Sequence, residues 1–423
     1  MNKTCQAKRP KEYIHCKMPS QVCKQICDEL SLQPPGALYV HVPFCLRKCR
    51  YCDFYSLPRD PAAAGDYVEA ALAELAWHSL SSCVRTGWGP VPLRTPLASI
   101  YLGGGTPTAI GPALLRRLLE AIRPLADEAT EFTVEANPGT VDGAVAAALA
   151  ECGVNRVALG VQSFHPAELE TLGRIHSPAD VAAAAGTLRS AGIANLGLDL
   201  IYGIPGQTMG TWLNSLASAL ELVPEHISAY GLSFEDGTLL GEDLRRGRAQ
   251  AMDEGLQKEC YYAAIETLER AGLAQYEISN FSRPGRRCLH NLTYWHNLPY
   301  LGIGPAAASY VGGVRRTNAP DLRAYVRAVR AGAPPPASGE RLAPLMAMAE
   351  TMMLGLRLAE GIDRWEFARR FGKDPLDVFP RSLARHRELC TILVNDTHIR
   401  IARDALFVSD TILADIIEEA REN

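Results

Sequence analysis

From residue 38 onward the chain alternates short apolar runs, often β-branched, with longer stretches whose apolar positions recur at helical spacing. The runs LYVHV (38–42), ASIYLGG (98–104), EFTVEAN (131–137), RVALGV (156–161), LGLDLIYG (196–203) and HISAYGL (226–232) predict strands. Between them YVEAALAELAWHSL, PALLRRLLEAI, VAAALAECG, DVAAAAGTLRSAG and TWLNSLASALEL predict amphipathic helices. Strand–helix alternation repeated six times implies an α/β fold with a parallel sheet and helices outside it, a partial (β/α)6 barrel. Ligands of such folds bind at the carboxyl ends of the strands.

Those ends carry the unusual residues. The first strand runs into a loop with Cys45, Cys49 and Cys52. The second ends in Gly103-Gly104-Gly105-Thr106-Pro107-Thr108 and the third in Glu135-Ala136-Asn137-Pro138. The fourth ends in Gln162-Ser163-Phe164, and the fifth contains Asp199 and leads into Tyr202-Gly203-Ile204-Pro205-Gly206. All five decorate one rim.

The two ends of the chain differ from this core. Residues 1–36 form a polar extension with Cys5, Cys16, Cys23 and Cys27, closed by the breaker Pro34-Pro35-Gly36. Cys23 and Cys27 fall on a helix-like run and could hold a metal or second cofactor; the preferred reading is an appendage. The barrel occupies 37–311. Beyond it, in 312–423, a helix enters a Pro-rich linker. Helices over LMAMAETMMLGLRL and DRWEFARRFG follow, then short strands near HIRIA and ALFV and a last helix, DTILADIIEEA. These describe a small helical, winged-helix-like domain.

Composition narrows the function classes. A formal net charge of −4 recommends no nucleic acid or other polyanion. No stretch approaches the ~18 apolar residues of a membrane span, and the N-terminus lacks a secretory h-region. The twelve cysteines should therefore stay reduced in a cytoplasmic setting, where clustered thiols mean metal or redox chemistry. Cys83, Cys152, Cys260, Cys288 and Cys390 are scattered and read as small buried or half-buried hydrophobes.

C-x3-C-x2-C brings three thiolates close enough for three corners of one iron–sulfur cubane, leaving the fourth iron open to a small molecule. Zinc is the rival, with Asp53 or His41 completing a closed site. Arg47, Lys48 and Arg50 interleave the cysteines; they either offset a thiolate-ligated cluster and dock an acidic electron donor, or form a solvated basic loop.

With Tyr51 preceding the third cysteine, this loop resembles the radical S-adenosylmethionine (SAM) superfamily. The ordered motifs YVHVPFC, YLGGGTPT, VEANPGT, NRVALGVQSF, LGRIH, DLIYGIPGQT, HISAYGL, YEISNF, HNLTYW and MLGLRLAEGI resemble its HemN/HemW branch over residues 38 to 410. The resemblance implies a [4Fe-4S] cluster on Cys45, Cys49 and Cys52 whose unique iron chelates SAM. It implies Tyr39, Gly104 and Glu135 near that SAM. Tyr51, Gly105, Thr106, Gln162, Arg174 and Asp199 match positions that serve a second SAM in the oxygen-independent coproporphyrinogen III oxidases. Those oxidases have a fourth cysteine where this chain has Phe54. His290-Asn291-x-x-Tyr294-Trp295 instead resembles the heme chaperones of the branch, in which the histidine is implicated in heme binding. The stretch GIGPAAASY (302–310) is small and apolar; the resemblance implies a polar or histidine residue near Ala308, and this departure argues against a heme contact there.

Three functions follow as expectations. The first is a cytoplasmic heme chaperone that binds cluster, SAM and heme and passes heme to an acceptor protein, served by an electron donor such as flavodoxin or ferredoxin. The second is a radical enzyme acting on a porphyrin. The third is a zinc-stabilised binding module. Phe54 favours the first over the oxidase.

Overall fold

The computed structural model describes residues 34–79, 90–93 and 95–422. The extension with Cys5, Cys16, Cys23 and Cys27, and Cys83, lie outside the described residues.

The six predicted strands form, each within about two residues of expectation: β1 (Ala37–Val42), β2 (Ser99–Gly104), β3 (Glu131–Ala136), β4 (Arg156–Gln162), β5 (Asn195–Tyr202) and β6 (His226–Gly231). All pair in parallel, β1 to β6 in sequence order. The intervening helices are stopped and started by local chemistry. The helix Pro178–Ser190, for example, opens on a capping box in which Ser177 accepts from Asp180 and Asp180 returns the bond.

The sheet is wider than the apolar runs predict. Beyond β6 it continues antiparallel through β8 (Asn280–Ser282) and β7 (Ala274–Gln275). Beyond β1 it gains a seventh parallel strand, β9 (Tyr300–Ile303), then antiparallel β10 (Ala308–Val311), β11 (Val314–Asn318) and β12 (Ala337–Arg341). Twelve strands make one open sheet that does not close on itself. It crosses position 311 and runs to Arg341, so β10, β11 and β12 pair as one flank. Their runs are short or arginine-rich, which hid the strand period.

Along the parallel strands the two faces differ. Leu38, Val40, Ile100, Leu102, Phe132, Val134, Val157, Leu159, Leu196 and Leu198 are fully buried and make the core under the helices. The alternate positions are Tyr39, His41, Ser99, Tyr101, Glu131, Thr133, Glu135, Arg156, Asp199, His226 and Ser228. Because strand side chains alternate, one register fixes both faces. A closed barrel of this family of shapes packs its interior with branched apolar residues; this sheet lines its inner face with polar ones.

The C-terminal region holds a small three-stranded antiparallel sheet, Ile362–Asp363, His398–Ile401 and Ile392–Val394, with helices Pro344–Gly355, Arg364–Phe371, Pro380–Glu388 and Ser409–Glu422. HIRIA is the central strand. ALFV is not a strand: Arg403–Val408 coils as a 3-10 turn whose Ala405 and Leu406 are buried. Cys152, Cys260 and Cys288 are buried as expected, but Cys390 is exposed on a left-handed turn, and Cys288 donates to Glu131 at 3.5 Å.

Candidate cofactor site

The cysteine loop is pinched at its base by a two-residue parallel ladder in which Phe44 and Cys45 pair with Leu57 and Pro58. Its middle is pinned by Arg50. The Arg50 N–H donates to the Leu172 carbonyl at 3.0 Å, its guanidinium to the Thr171 carbonyl at 3.3 Å, and it forms an ion pair with Asp243. Arg50 is therefore a tether for the loop, whereas Arg47 and Lys48 are exposed. Tyr51 packs on a small apolar cluster of Leu172, Ile201, Ile204, Leu232 and Leu240.

Thr106 Oγ1 lies 3.6 Å from Cys45 Sγ, and a nitrogen of the Arg174 guanidinium donates to Cys49 Sγ at 3.3 Å. Burial raises the Cys45 thiol, and raises Cys52 to about 11. Unliganded, these two hold their protons; a metal centre would have to displace them. Arg174, expected at the cofactor site, faces the cysteine loop. It follows Gly173, the left-handed cap of the helix Pro166–Leu172, which turns the side chain inward to the loop and the Gly160 carbonyl. Its Nε is buried without a partner among the described residues.

The glycine run has an intramolecular use that its sequence alone does not reveal. A Cβ on Gly103 would stand 2.8 Å from the Glu135 carboxyl carbon, so the missing side chain makes room for that carboxylate. A Cβ on Gly104, at φ +100°, would collide with the His41 ring. The Gly105 and Thr106 N–H groups donate to the carbonyls of Val42 at 2.9 Å and Phe44 at 2.7 Å, locking the second rim turn against the cysteine loop.

Glu135 accepts from Tyr101 Oη at 2.7 Å and from the Gly104 N–H at 3.2 Å. Burial first, and then the charge of Asp199, raise its pKa to about 7. Asp199 is also raised by burial, opposed by a hydrogen bond to Ser228. Gln162 sits beside them at φ +70°, where the strand register slips by one residue. A non-glycine residue in that region stores strain of roughly 1–3 kcal/mol, a feature concentrated at binding sites. Tyr39 Oη meets His41 Nδ1 at 3.1 Å, and His41 Nε2 meets the Tyr55 carbonyl at 2.8 Å. With both nitrogens engaged, His41 supports the loop from below; it is not a further metal ligand. Asp53 is exposed. Among the described residues no three His, Cys, Asp or Glu side chains converge on a single-ion site.

Phe54, where the oxidases carry a thiol, is 64% exposed beside this loop. Residues 39–219 match the Radical SAM superfamily, and residues 342–408 match the HemN C-terminal domain. The heme chaperone HemW of Bacillus subtilis is 34% identical over 348 residues, spanning 82% of this chain and 89% of its own length. The chain belongs to the HemW family of radical SAM proteins. Heme chaperone HemW of Escherichia coli is 38% identical across 65% of this chain and 70% of its own. The bovine radical S-adenosyl methionine domain-containing protein 1, mitochondrial, is 32% identical across 92% and 88%. Among solved structures, coproporphyrinogen III oxidase (HemN) from Escherichia coli shares the fold, with a TM-score of 0.77 over 94% of this chain and 93% of that one at 20% identity.

Against this HemW-family frame His290 stands apart from the rim. It lies at the amino end of the strands, on the helix Leu289–Trp295, and is 1% exposed. Nδ1 pairs with Ser99 Oγ at 2.9 Å and Nε2 with Tyr294 Oη at 2.9 Å. Its ring stacks on Tyr101 at 5.1 Å. The carboxylate of Glu131 receives the N–H groups of Leu289 at 2.9 Å and His290 at 3.0 Å, so it caps this helix. Neither imidazole nitrogen is open to an iron in this arrangement; the motif plugs the floor of the partial barrel. Sequence reasoning also missed Glu131 and Arg156, buried charges whose strand positions look apolar-flanked. The alternation of β3 and β4 was the available signal for them.

Proposed function

We propose that the chain is a heme chaperone of the HemW type, holding a [4Fe-4S] cluster and SAM at the rim and passing heme to an acceptor protein. The relatives named heme chaperones, aligned across four-fifths of the chain, support this reading. The observation that carries it is the three-thiol loop paired with exposed Phe54 in place of a fourth thiol.

The residues fit the cofactors. Three thiols with an arginine at Cys49 and a hydroxyl at Cys45 suit thiolate ligation. When bound, a cluster of this kind supplies an iron with open coordination and an electron for reductive cleavage of SAM. Around it the chain does the rest. Cys45, Cys49 and Cys52 hold the cluster, and Arg174 stabilises the Cys49 thiolate. Ionised Glu135 accepts the SAM ammonium, with Gly103 and Gly104 clearing its approach. Asp199 and Gln162 offer a carboxylate and an amide to hydroxyl or carboxylate groups at the same rim. Tyr39 and Tyr51 wall the site, and exposed Arg47 and Lys48 present positive charge to an acidic electron donor such as flavodoxin or ferredoxin.

An anaerobically reconstituted preparation tests this. The expected result is about four irons per chain, one equivalent of bound hemin, and no protoporphyrinogen IX from coproporphyrinogen III with reductant and SAM. Formation of that product identifies an oxidase; about one zinc and no iron identifies a binding module.

A further inference from the structure

Between the rim acids and the floor, the inner face of the sheet carries a charge that no contact answers. Arg156, on β4, is 2% exposed, and its Nε and Nη1 have no hydrogen-bond partner among the described residues. No carboxylate forms an ion pair with it among them either. A guanidinium keeps its charge when buried, so a fully buried arginine is rarely left unpaired. The acids nearby are engaged elsewhere. Glu131 accepts from Cys288, Leu289 and His290, and Asp199 from Ser228. Both act on Arg156 only through space. Burial keeps Cys288, Tyr101 and Tyr276 in their neutral forms.

The strand register gathers other unmet groups in the same layer. Thr133, in register with Arg156 on β3, is fully buried, and its Oγ1 has no partner among the described residues. On the other side, β5 and β6 set Gly197 beside His226, which is 1% exposed. Burial first, and then the charge of Arg156, keep the His226 ring neutral. Tyr276 Oη accepts the Cys288 N–H at 3.3 Å and meets His226 Nε2 at 2.9 Å. With the phenol hydrogen directed to Nε2, the ring carries its own on Nδ1, which has no partner among the described residues. A Cβ on Gly197 would stand 3.4 Å from Arg156 Nη2 and 3.5 Å from His226 Nδ1. Those are ordinary contact distances, so the absent side chain leaves a space the size of a methyl group, flanked by two nitrogens. Asn195 Oδ1, an acceptor in register with Arg156, is itself unpartnered among the described residues and bonds to neither nitrogen.

We infer that the space at Gly197 is a binding site for a small monovalent anion, a halide or one oxygen of a carboxylate, held between Arg156 and His226. Water there would complete the hydrogen bonds and leave the charge of Arg156 unbalanced; an anion answers both. The site is independent of the heme-chaperone reading and of what the rim holds. Its influence nevertheless reaches the rim. The charge of Arg156 lowers the pKa values of Glu135 and Asp199, against the larger effect of burial, and an anion beside it weakens that pull.

The test is thermal unfolding of the full chain, reconstituted with its cluster, in sodium gluconate, chloride or formate at equal ionic strength. Gluconate is too bulky for the space and sets the baseline. Chloride, formate or both should raise the melting temperature by about 2–5 °C. A response to chloride alone assigns a halide; a response to formate assigns a carboxylate. Gly197→Ala fills the space at ordinary contact distances, so it should fold and melt alike in all three salts. Arg156→Met should lose the response as well, and if it fails to fold, Gly197→Ala carries the test. Crystals grown in bromide should show anomalous scattering between Arg156 and His226. The assignment is overturned if neither anion differs from gluconate, if Gly197→Ala responds as the wild type does, or if the bromide crystals hold only water at that place.

Discussion

The two ends of the parallel sheet hold comparable inventories of polar side chains and use them differently. At the floor, Ser99, His290 and Tyr294 form a closed relay and Glu131 takes up the end of the plugging helix, although Arg156 and His226 beside them keep buried nitrogens without partners among the described residues. At the rim, two half-buried thiols hold their protons, Glu135 is held near neutrality, and Arg174 keeps a buried Nε without a partner among the described residues. Groups that satisfy one another stabilise a fold; groups left with unmet chemistry await a ligand. The histidine of the HNLTYW motif is thus engaged within the fold in this arrangement, and the rim keeps the groups that the proposed cluster and SAM would complete.

The largest expected effect separates the two ends completely. Cys45→Ala, Cys49→Ala or Cys52→Ala should each reduce iron from about four per chain to near zero, with little change in the melting temperature of the iron-free protein. Retention of iron would move the ligands elsewhere. His290→Ala should do the reverse. Losing a buried ring and two hydrogen bonds should cost about 2–4 kcal/mol of stability, read by urea denaturation, while iron content per folded chain is unchanged. A stable His290→Ala protein would show that the floor is not the closed relay described.

The rim was legible because its signals are chemical and local: cysteine spacing, a glycine run, and acids interrupting apolar strands. The parallel strands were legible for a similar reason, since each is a short apolar run flanked by turns. What was hidden depends on distant segments meeting. Nothing local says that Tyr300–Ile303 returns to pair with Tyr39 and its neighbours, or that Arg316 and Glu340 belong to paired strands. His290 is the instructive case. Its motif resemblance implies a heme role, and Ser99, 191 positions away, pairs with one of its nitrogens, a contact no local pattern announces. Arg174, matched to a SAM position by resemblance, is aimed at Cys49 by the left-handed turn at Gly173, a placement no local pattern announces.

A smaller effect tests whether rim groups sacrifice stability for binding. Glu135→Gln removes a carboxylate that burial disfavours in its charged form and keeps its shape. SAM affinity, measured by equilibrium dialysis on the reconstituted protein, should fall about ten- to a hundredfold. The ligand-free protein should melt ~1–3 °C higher at pH 8. A lower melting temperature would show that ionised Glu135 is structurally needed.

The finest distinction is the pH response, where the two ends should pull in opposite directions. Glu135 titrates near 7 in the fold, above its ordinary carboxyl value, because burial penalises the carboxylate. Its contribution to stability is therefore complete in acid and declines as pH rises to about 7. His290 is lowered to about 3 by burial and the charge of Arg156, so the folded chain refuses a proton that the unfolded chain accepts. Its contribution is complete above the ordinary histidine pKa and declines as pH falls from there towards about 3. SAM binding adds a third slope, since the ammonium needs ionised Glu135: below about pH 7 affinity should drop by up to roughly tenfold per unit. Melting curves from pH 5 to 8 for wild type, Glu135→Gln and His290→Ala separate the slopes. Glu135→Gln should flatten the loss towards pH 8, and His290→Ala the loss towards pH 5. If instead Glu135→Gln leaves the SAM affinity profile as steep as wild type below pH 7, the proton-sensitive group at the rim is Asp199.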